Sequence, residues 1–405
     1  MAKQGQICCC YAAFICYISY MNELIDRFLI TPSRGYFLFG PRGTGKSTWL
    51  KMQYPDAKWI DLLSQSAYQS YLANPDRLRD FVRGAEKESV VVIDEIQRVP
   101  ALLNVVHQLI EEKKGLQFVL TGSSARKLRR SGVDLLAGRV SLTTCHPYMA
   151  SELKERFSLV EALNFGLVPL IYEAKERQEV LNAYMELYLR EEVQAEGLVR
   201  NIASFARFLE AISFSHASLL NLAEVARECE VSRKTVEGYV SILNDLLIAH
   251  LLPIFSKRAK RQLVKHNKFY FFDAGVFRAI RPKGPLDNPS EIDGMALEGL
   301  VFQHLLAWKS YSKERINLYF WRTRAGNEVD FVIYGESVFY AIEVKNSRKA
   351  HRSDLRSLRS FGEDYPEAQL IMLYRGTEKL MIGNVHCIPC DEFLRTLNPD
   401  NWSLI

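Results

Sequence analysis

A chain of 405 residues is too long for one hydrophobic core and predicts about two to four domains. With 48% hydrophobic and 24% charged residues the composition is that of an ordinary globular protein, which excludes a chain disordered along most of its length. A net charge of +5 is too small to indicate a nucleic-acid partner unless the cations cluster locally.

Cys8, Cys9, Cys10 and Cys16 crowd the start of the chain, whereas Cys145, Cys229, Cys387 and Cys390 are scattered. No disulfide framework follows from that pattern; Cys387 and Cys390 have C-x-x-C spacing without a second pair to complete a zinc site, and reduced thiols in a cytosol are expected. Residues 7–20 are apolar but too short to span a bilayer, and they lack a small-residue cleavage site. Met21 then opens an amphipathic stretch, so residues 1–20 read as a spurious extension from an overlong start assignment. A cytoplasmic location with no membrane contact is expected.

Next comes the apolar run Tyr36-Phe37-Leu38-Phe39, which reads as a buried parallel strand. Gly40-Pro41-Arg42-Gly43-Thr44-Gly45-Lys46-Ser47-Thr48 follows it, with the spacing G-x-x-x-x-G-K-[ST]. Glycines at Gly40, Gly43 and Gly45 let backbone N–H groups close around phosphates, Lys46 reaches the terminal ones, and the Ser47 hydroxyl ligates magnesium. A helix beginning near Lys46 would aim its positive end at the same anion. ATP and Mg2+ are the expected cofactors.

Downstream, the β-branched run Val90-Val91-Val92-Ile93 ends in Asp94-Glu95, two carboxylates at the carboxyl end of a buried strand, where α/β sheets place ligands. Asp94 is expected to hold magnesium through water, and Glu95 to polarise the attacking water. Residues 116–120 give another strand, after which Ser123 or Ser124 is placed to sense the terminal phosphate or to cap the basic helix that follows. Arg139 is the first candidate for an arginine finger and Arg126 the second, with a structural ion pair as the alternative. A finger acting in trans requires a homo-oligomer.

This core, residues 21–150, is expected to lead into a helical lid or connector at 151–212 without chemistry of its own. Residues 213–283 outline a winged helix: Leu222 to Arg227 form a first helix, Glu230-Val231-Ser232 a turn, and Ser232 caps a second helix that would present Arg233, Lys234, Thr235 and Tyr239. The basic stretch 257–268 would be its wing, and DNA is the expected partner of both. Residues 281–290 form a Pro- and Gly-rich linker.

Beyond it lies an α/β domain at 290–380 and a tail at 381–405. Glu298 stands in an apolar helix, Asp330 in an apolar strand, and Glu343 and Lys345 on one face of the next strand. Such charges need solvent or a shared cation. Asp330 followed by Glu343-Val344-Lys345 has the D…E-x-K spacing of metal-dependent nucleases, in which Asp330 and Glu343 hold magnesium and Lys345 helps activate water. A Glu343–Lys345 surface pair, or a fold that no longer cuts, are the alternatives.

Taken with Ile96-Gln97 after Asp94-Glu95, and with Leu120-Thr121-Gly122, Leu136-Ala137-Gly138-Arg139, Tyr188-Leu189-Arg190-Glu191 and Gly326-Asn327-Glu328-Val329-Asp330-Phe331, the stretch from about Met21 to Arg375 resembles prokaryotic AAA-type ATPases whose C-terminal half is a domain of unknown function. The resemblance implies a P-loop ATPase with a parallel sheet, a winged helix and a restriction-endonuclease-like terminal domain. It leaves open a motor or switch on DNA, a regulatory ATPase whose C-terminal domains bind protein, and a nuclease gated by ATP.

Overall fold

Four consecutive apolar residues flanked by glycine suit a strand covered on both faces, and Tyr36–Phe39 (β1) is buried at every position. In the computed structural model, which describes residues 25–83, 89–112, 115–123, 136, 138–188, 202–257, 263, 264, 266–401, 403 and 404, β1 lies inside a five-stranded sheet. Its other members are Lys58–Asp61 (β2), Val90–Asp94 (β3), Gln117–Gly122 (β4) and Ser141–Thr144 (β5), in the order β2-β3-β4-β1-β5 with every pairing parallel. The phosphate-loop strand and the acidic strand are therefore separated by β4, and both deliver their loops to the same sheet edge.

Residues 151–212, expected to be helical, carry Leu159–Phe165, Pro169–Tyr172, Arg177–Ala183 and Ile202–Ser213. Leu222–Glu228 and Arg233–Asp245 follow, with the Ser232 hydroxyl accepting from the Thr235 N–H at 3.1 Å as the cap spacing predicts. Ser218–Leu219 (β6), Ala249–Leu252 (β7) and Lys268–Phe271 (β8) form a small antiparallel sheet in the order β6-β8-β7. Tyr239 corrects the expected face of the second helix. It is buried against the Phe205 and Phe208 rings, because Val236, Tyr239, Val240 and Leu243 form the apolar i, i+3, i+4, i+7 stripe that holds the helix down.

The expected linker is held in place: Arg281 bonds Asp287 at 3.0 Å and lies 3.6 Å from the Phe214 ring centroid. Pro289 at its end opens a long helix, Pro289–Tyr311, capped by Asn288. This helix covers one face of a six-stranded mixed sheet made of Asn317–Arg322 (β9), Glu328–Tyr334 (β10), Phe339–Lys345 (β11), Gln369–Tyr374 (β12), Leu380–Ile382 (β13) and Val385–Pro389 (β14). The order is β13-β14-β12-β11-β10-β9; β9, β10 and β11 form an antiparallel meander, and β11, β12 and β14 run parallel. Arg356–Asp364 covers the other face through Leu358 and Phe361.

Residues 381–405 are not a tail, since Val385, Cys387 and Ile388 are buried in β14 and the helix Cys390–Thr396 packs behind it. One apolar cluster runs from Tyr36 and Leu38 through Phe208 and Val240 to Leu300 and Phe331, so the three sheets share a core. Among the described residues no helix is long and apolar enough to cross a membrane.

Candidate functional site

The loop after β1 is shaped by its glycines. Gly43 and Gly45 have φ of 80° and 83°, a region costly for residues with a Cβ, and a Cβ on Gly40 would lie 2.4 Å from the Cys145 carbonyl oxygen. The helix Lys46–Gln53 starts directly at the lysine. Lys46 Nζ donates to the carbonyls of Gly40 at 2.7 Å and Pro41 at 3.2 Å, so the ammonium is held over the loop without an acidic partner among the described residues. Ser47 Oγ donates to Asp94 Oδ2 at 2.8 Å, joining the loop to the end of β3 across the sheet edge.

Two residues that stand in the sequence motifs without an assigned role organise the acidic side. Thr121, polar at the end of the apolar strand β4, donates to Asp94 Oδ1 and accepts from the Glu95 N–H at 3.1 Å. Gln97 donates to Glu95 Oε2 and to Ser123 Oγ, the latter at 3.2 Å. Glu95 sits at φ 59°, ψ 46°, a left-handed conformation that non-glycine residues hold only when the surroundings compel it. Its carboxylate is thereby set beside Asp94 and oriented by Gln97. A polar residue in an apolar strand and an amide two positions past the acid pair were the available signals for Thr121 and Gln97.

Beside the loop lies a cavity of about 510 Å³ whose lining includes Gly43, Gly45, Thr48, Trp49, Tyr148 and Leu170. Leu170 arrives there on the connector helix Pro169–Tyr172, whose Leu170 N–H donates to the Gly43 carbonyl at 3.1 Å. The connector therefore borders the loop, through an apolar side chain and a backbone bond and not through a reactive group.

Arg139 does not reach this edge of the sheet. Its strand pairs Tyr36 with Ser141 and Phe39 with Thr144, so Arg139 lies at the opposite end from the loop, ion-paired to Glu111. With about 3.3 Å per strand residue the separation is roughly 15 Å or more along the strand, which excludes a finger onto the chain's own phosphate loop. Ser124 and Arg126 lie outside the described residues.

A second constellation forms where β8, the helix Pro289–Tyr311 and β10 meet. Lys268 Nζ contacts Glu298 Oε1 at 2.9 Å, Asp330 Oδ1 at 3.1 Å and Glu328 Oε1 at 2.5 Å, and the Tyr270 hydroxyl donates to Glu298 Oε1 at 2.6 Å. Asp330 Oδ2 accepts from the Val344 N–H at 2.9 Å, and Lys345 Nζ bonds Glu343 Oε1 at 2.6 Å. The sequence-predicted Glu298, Asp330, Glu343 and Lys345 thus converge, but the compensating cation is an ammonium. Lys268, expected in a DNA-facing basic stretch, is 1% exposed and belongs to this cluster. Of the rest of that stretch, Lys257 lies 4.0 Å from the Tyr334 ring centroid, and residues 258–262 and 265 are outside the described residues.

Burial, then the neighbouring Asp330, pushes Glu298 up to about 7 and holds Glu343 well above the carboxylate range. Burial alone would lower Lys268, but Glu298, Tyr270, Asp330 and Glu328 together hold it well above the usual lysine range. A divalent cation does not fit the cluster as it stands. Lys268 already occupies the point between three carboxylates, and among the described residues no group of three or more His, Cys, Asp or Glu is arranged to hold a metal ion.

The loop, the paired acids and the all-parallel sheet define a P-loop ATPase domain of the AAA type, and residues 33–154 match the family of AAA domains. Residues 156–287 and 293–393 match two domains of unknown function, DUF8612 and DUF4143. Among curated proteins none matches the chain. Solved structures that it resembles include a DNA replication initiation factor, 13% identical over 53% of this chain and 83% of that one, with a TM-score of 0.23. A Vibrio cholerae protein is 13% identical over 90% of this chain and 96% of that one, with a TM-score of 0.20. Scores this low carry no argument about fold or function.

Proposed function

We propose that the chain binds and hydrolyses ATP with Mg2+ and couples this to DNA through a winged-helix unit and a nuclease-like C-terminal unit that binds rather than cuts. The observation that carries the ATPase half is the 2.8 Å bond from Ser47 Oγ to Asp94 Oδ2 at the mouth of the glycine loop. It sets a hydroxyl and a carboxylate side by side beneath the point where Lys46 and the loop amides would hold the β- and γ-phosphates, which is where magnesium is wanted. Magnesium there would neutralise charge developing on the phosphates. Glu95, oriented by Gln97, is the group to accept the proton of an attacking water, and Ser123 lines the same edge. The 510 Å³ cavity suits the nucleoside.

Support for the DNA half comes from the capped helix Arg233–Asp245, with Arg233 and Lys234 exposed on it, and from the α/β arrangement that sets Asp330 and Glu343 on adjacent antiparallel strands. The ammonium of Lys268 within that cluster favours a nuclease-like fold without cleavage, and therefore also keeps alive the regulatory reading, in which the C-terminal domains bind protein. Arg139 serves as a finger only from a second copy of the chain.

The test is ATP turnover by the purified chain with magnesium, with and without duplex DNA. Glu95→Gln should retain nucleotide binding and lose hydrolysis by on the order of 100-fold to 1,000-fold. Turnover by Glu95→Gln at the wild-type rate would remove Glu95 from the chemistry. Stimulation by a protein partner but by no DNA would select the regulatory reading.

A further inference from the structure

The 3₁₀ turn Arg352–Leu355 runs directly into the helix Arg356–Asp364, and Arg352, Arg356 and Arg359 recur at i, i+4 and i+7, one face of a helical stretch roughly 10 Å long. Together with Asn327, Ser360 and Glu363 they line a cleft of about 370 Å³. Among the described residues none of the three guanidinium groups has an ion-pair or hydrogen-bond partner, whereas Arg322 nearby is paired to Glu328 at 2.8 Å. Arg348, Lys349 and His351 extend the row on exposed positions. Two acids border these cations: Glu363 lines the cleft itself, and Asp354 is turned back to accept the His351 N–H at 3.2 Å. Among the described residues these three cations take no part in holding the helix down, which is done by Leu355, Leu358 and Phe361.

We infer that this cleft is a binding surface for the sugar–phosphate backbone of DNA. Guanidinium groups bind phosphate oxygens bidentately, and a row of them suits a repeating anion better than a single phosphate group. The buried positions of Leu355, Leu358 and Phe361 leave this face without exposed apolar side chains to enter a lipid surface. The Ser357 hydroxyl accepts from the Glu328 N–H at 3.4 Å, which ties the cleft helix to the start of the strand whose Glu328 side chain contacts Lys268 on the other face. This deepens the DNA half of the proposed function, moving its main contact from the winged helix to the C-terminal unit, and is independent of the ATPase half.

The experiment is fluorescence anisotropy of a labelled 30-base-pair duplex of arbitrary sequence with the full chain over a range of salt concentrations. The variant carries Arg352→Glu, Arg356→Glu and Arg359→Glu; a matched control carries Lys283→Glu, Lys313→Glu and Arg315→Glu, three exposed cations elsewhere. Circular dichroism and melting temperature confirm that each is folded. The cleft variant should bind on the order of 100-fold more weakly at 0.1 M salt, with the slope of log affinity against log salt about 3 shallower, while the control stays within a few-fold of wild type. Equal losses in cleft variant and control, or no loss in either, overturn the inference. Loss on Lys234→Glu with the cleft variant intact also overturns it, yet leaves DNA as the partner. No DNA binding by the wild-type chain overturns both, as does cleft-dependent binding to vesicles containing 30% phosphatidylserine without binding to DNA. ATP turnover measured on the same wild-type sample keeps the nucleotide reading separate.

Discussion

Both ends of this chain bring carboxylates together beside a lysine, and the two sites handle the charge in opposite ways. At the phosphate loop, Asp94 is bonded to the hydroxyls of Ser47 and Thr121, and Lys46 to two neutral carbonyls, so acid and base are held close without neutralising each other. At the C-terminal sheet, Lys268 lies among Glu298, Glu328 and Asp330, and Lys345 closes on Glu343. A site whose polar groups are satisfied by neutral partners keeps its charges for a ligand. One whose charges are paired internally has spent its electrostatics on holding the fold together. The lysine in each is therefore the residue through which the contrast can be broken.

Removing Lys46 should have the largest effect, and on activity alone. Lys46→Ala should reduce ATP hydrolysis by on the order of 1,000-fold, since a preorganised cation aimed at developing phosphate charge is lost. The stability change should be about 1 kcal/mol or less, because among the described residues the ammonium has only neutral hydrogen-bond partners. A folded Lys46→Ala protein that still turns over ATP would end the comparison at its first term.

The reverse is expected of Lys268. Lys268→Met leaves Glu298, Glu328 and Asp330 facing one another with no cation, and breaking a buried pair from one side costs about 3–5 kcal/mol. Urea denaturation should show that loss. If the midpoint does not move, the cluster is hydrated enough to be a cation site after all, and direct titration of the variant with Mn2+ would then show saturable binding.

What the sequence made legible follows the same division. The phosphate loop is encoded within nine consecutive residues, and Asp94 stands at the end of a β-branched run, so local spacing is sufficient for both. The C-terminal acids could be read because a carboxylate in an apolar strand is conspicuous. Their partner could not, because Lys268 is separated from Asp330 by 62 positions and comes from a different sheet. It opens the fully buried strand Lys268–Phe271, and reading it as one more cation in a basic stretch gave the charge more weight than the burial. Tyr239 was misplaced for a related reason: it was counted with Arg233, Lys234 and Thr235 on the presented face, while its position in the apolar stripe fixed its direction. The arginine cleft depends on Asn327 and the helix Arg356–Asp364 meeting across the sheet, which no spacing along the chain records.

Glu298 offers the smallest effect and the sharpest discrimination. Its carboxyl is pushed up to about 7 from the ordinary 4.5, by burial first and by Asp330 second. With the folded value above the unfolded one, the native protein retains a proton that the unfolded chain releases in that window. The stability this supplies is complete below about pH 4.5 and is lost as the pH rises through about 7. At 1.36 kcal/mol per pKa unit the loss is at most roughly 3 kcal/mol. Glu298→Gln has no such proton, so its stability relative to wild type should rise by up to that amount between pH 5 and pH 8. Taking the difference between the two proteins cancels the buried histidines His146, His216, His250 and His304, which burial lowers to about 3 or about 4 in both. Parallel stability curves would mean that Lys268 keeps Glu298 ionised throughout.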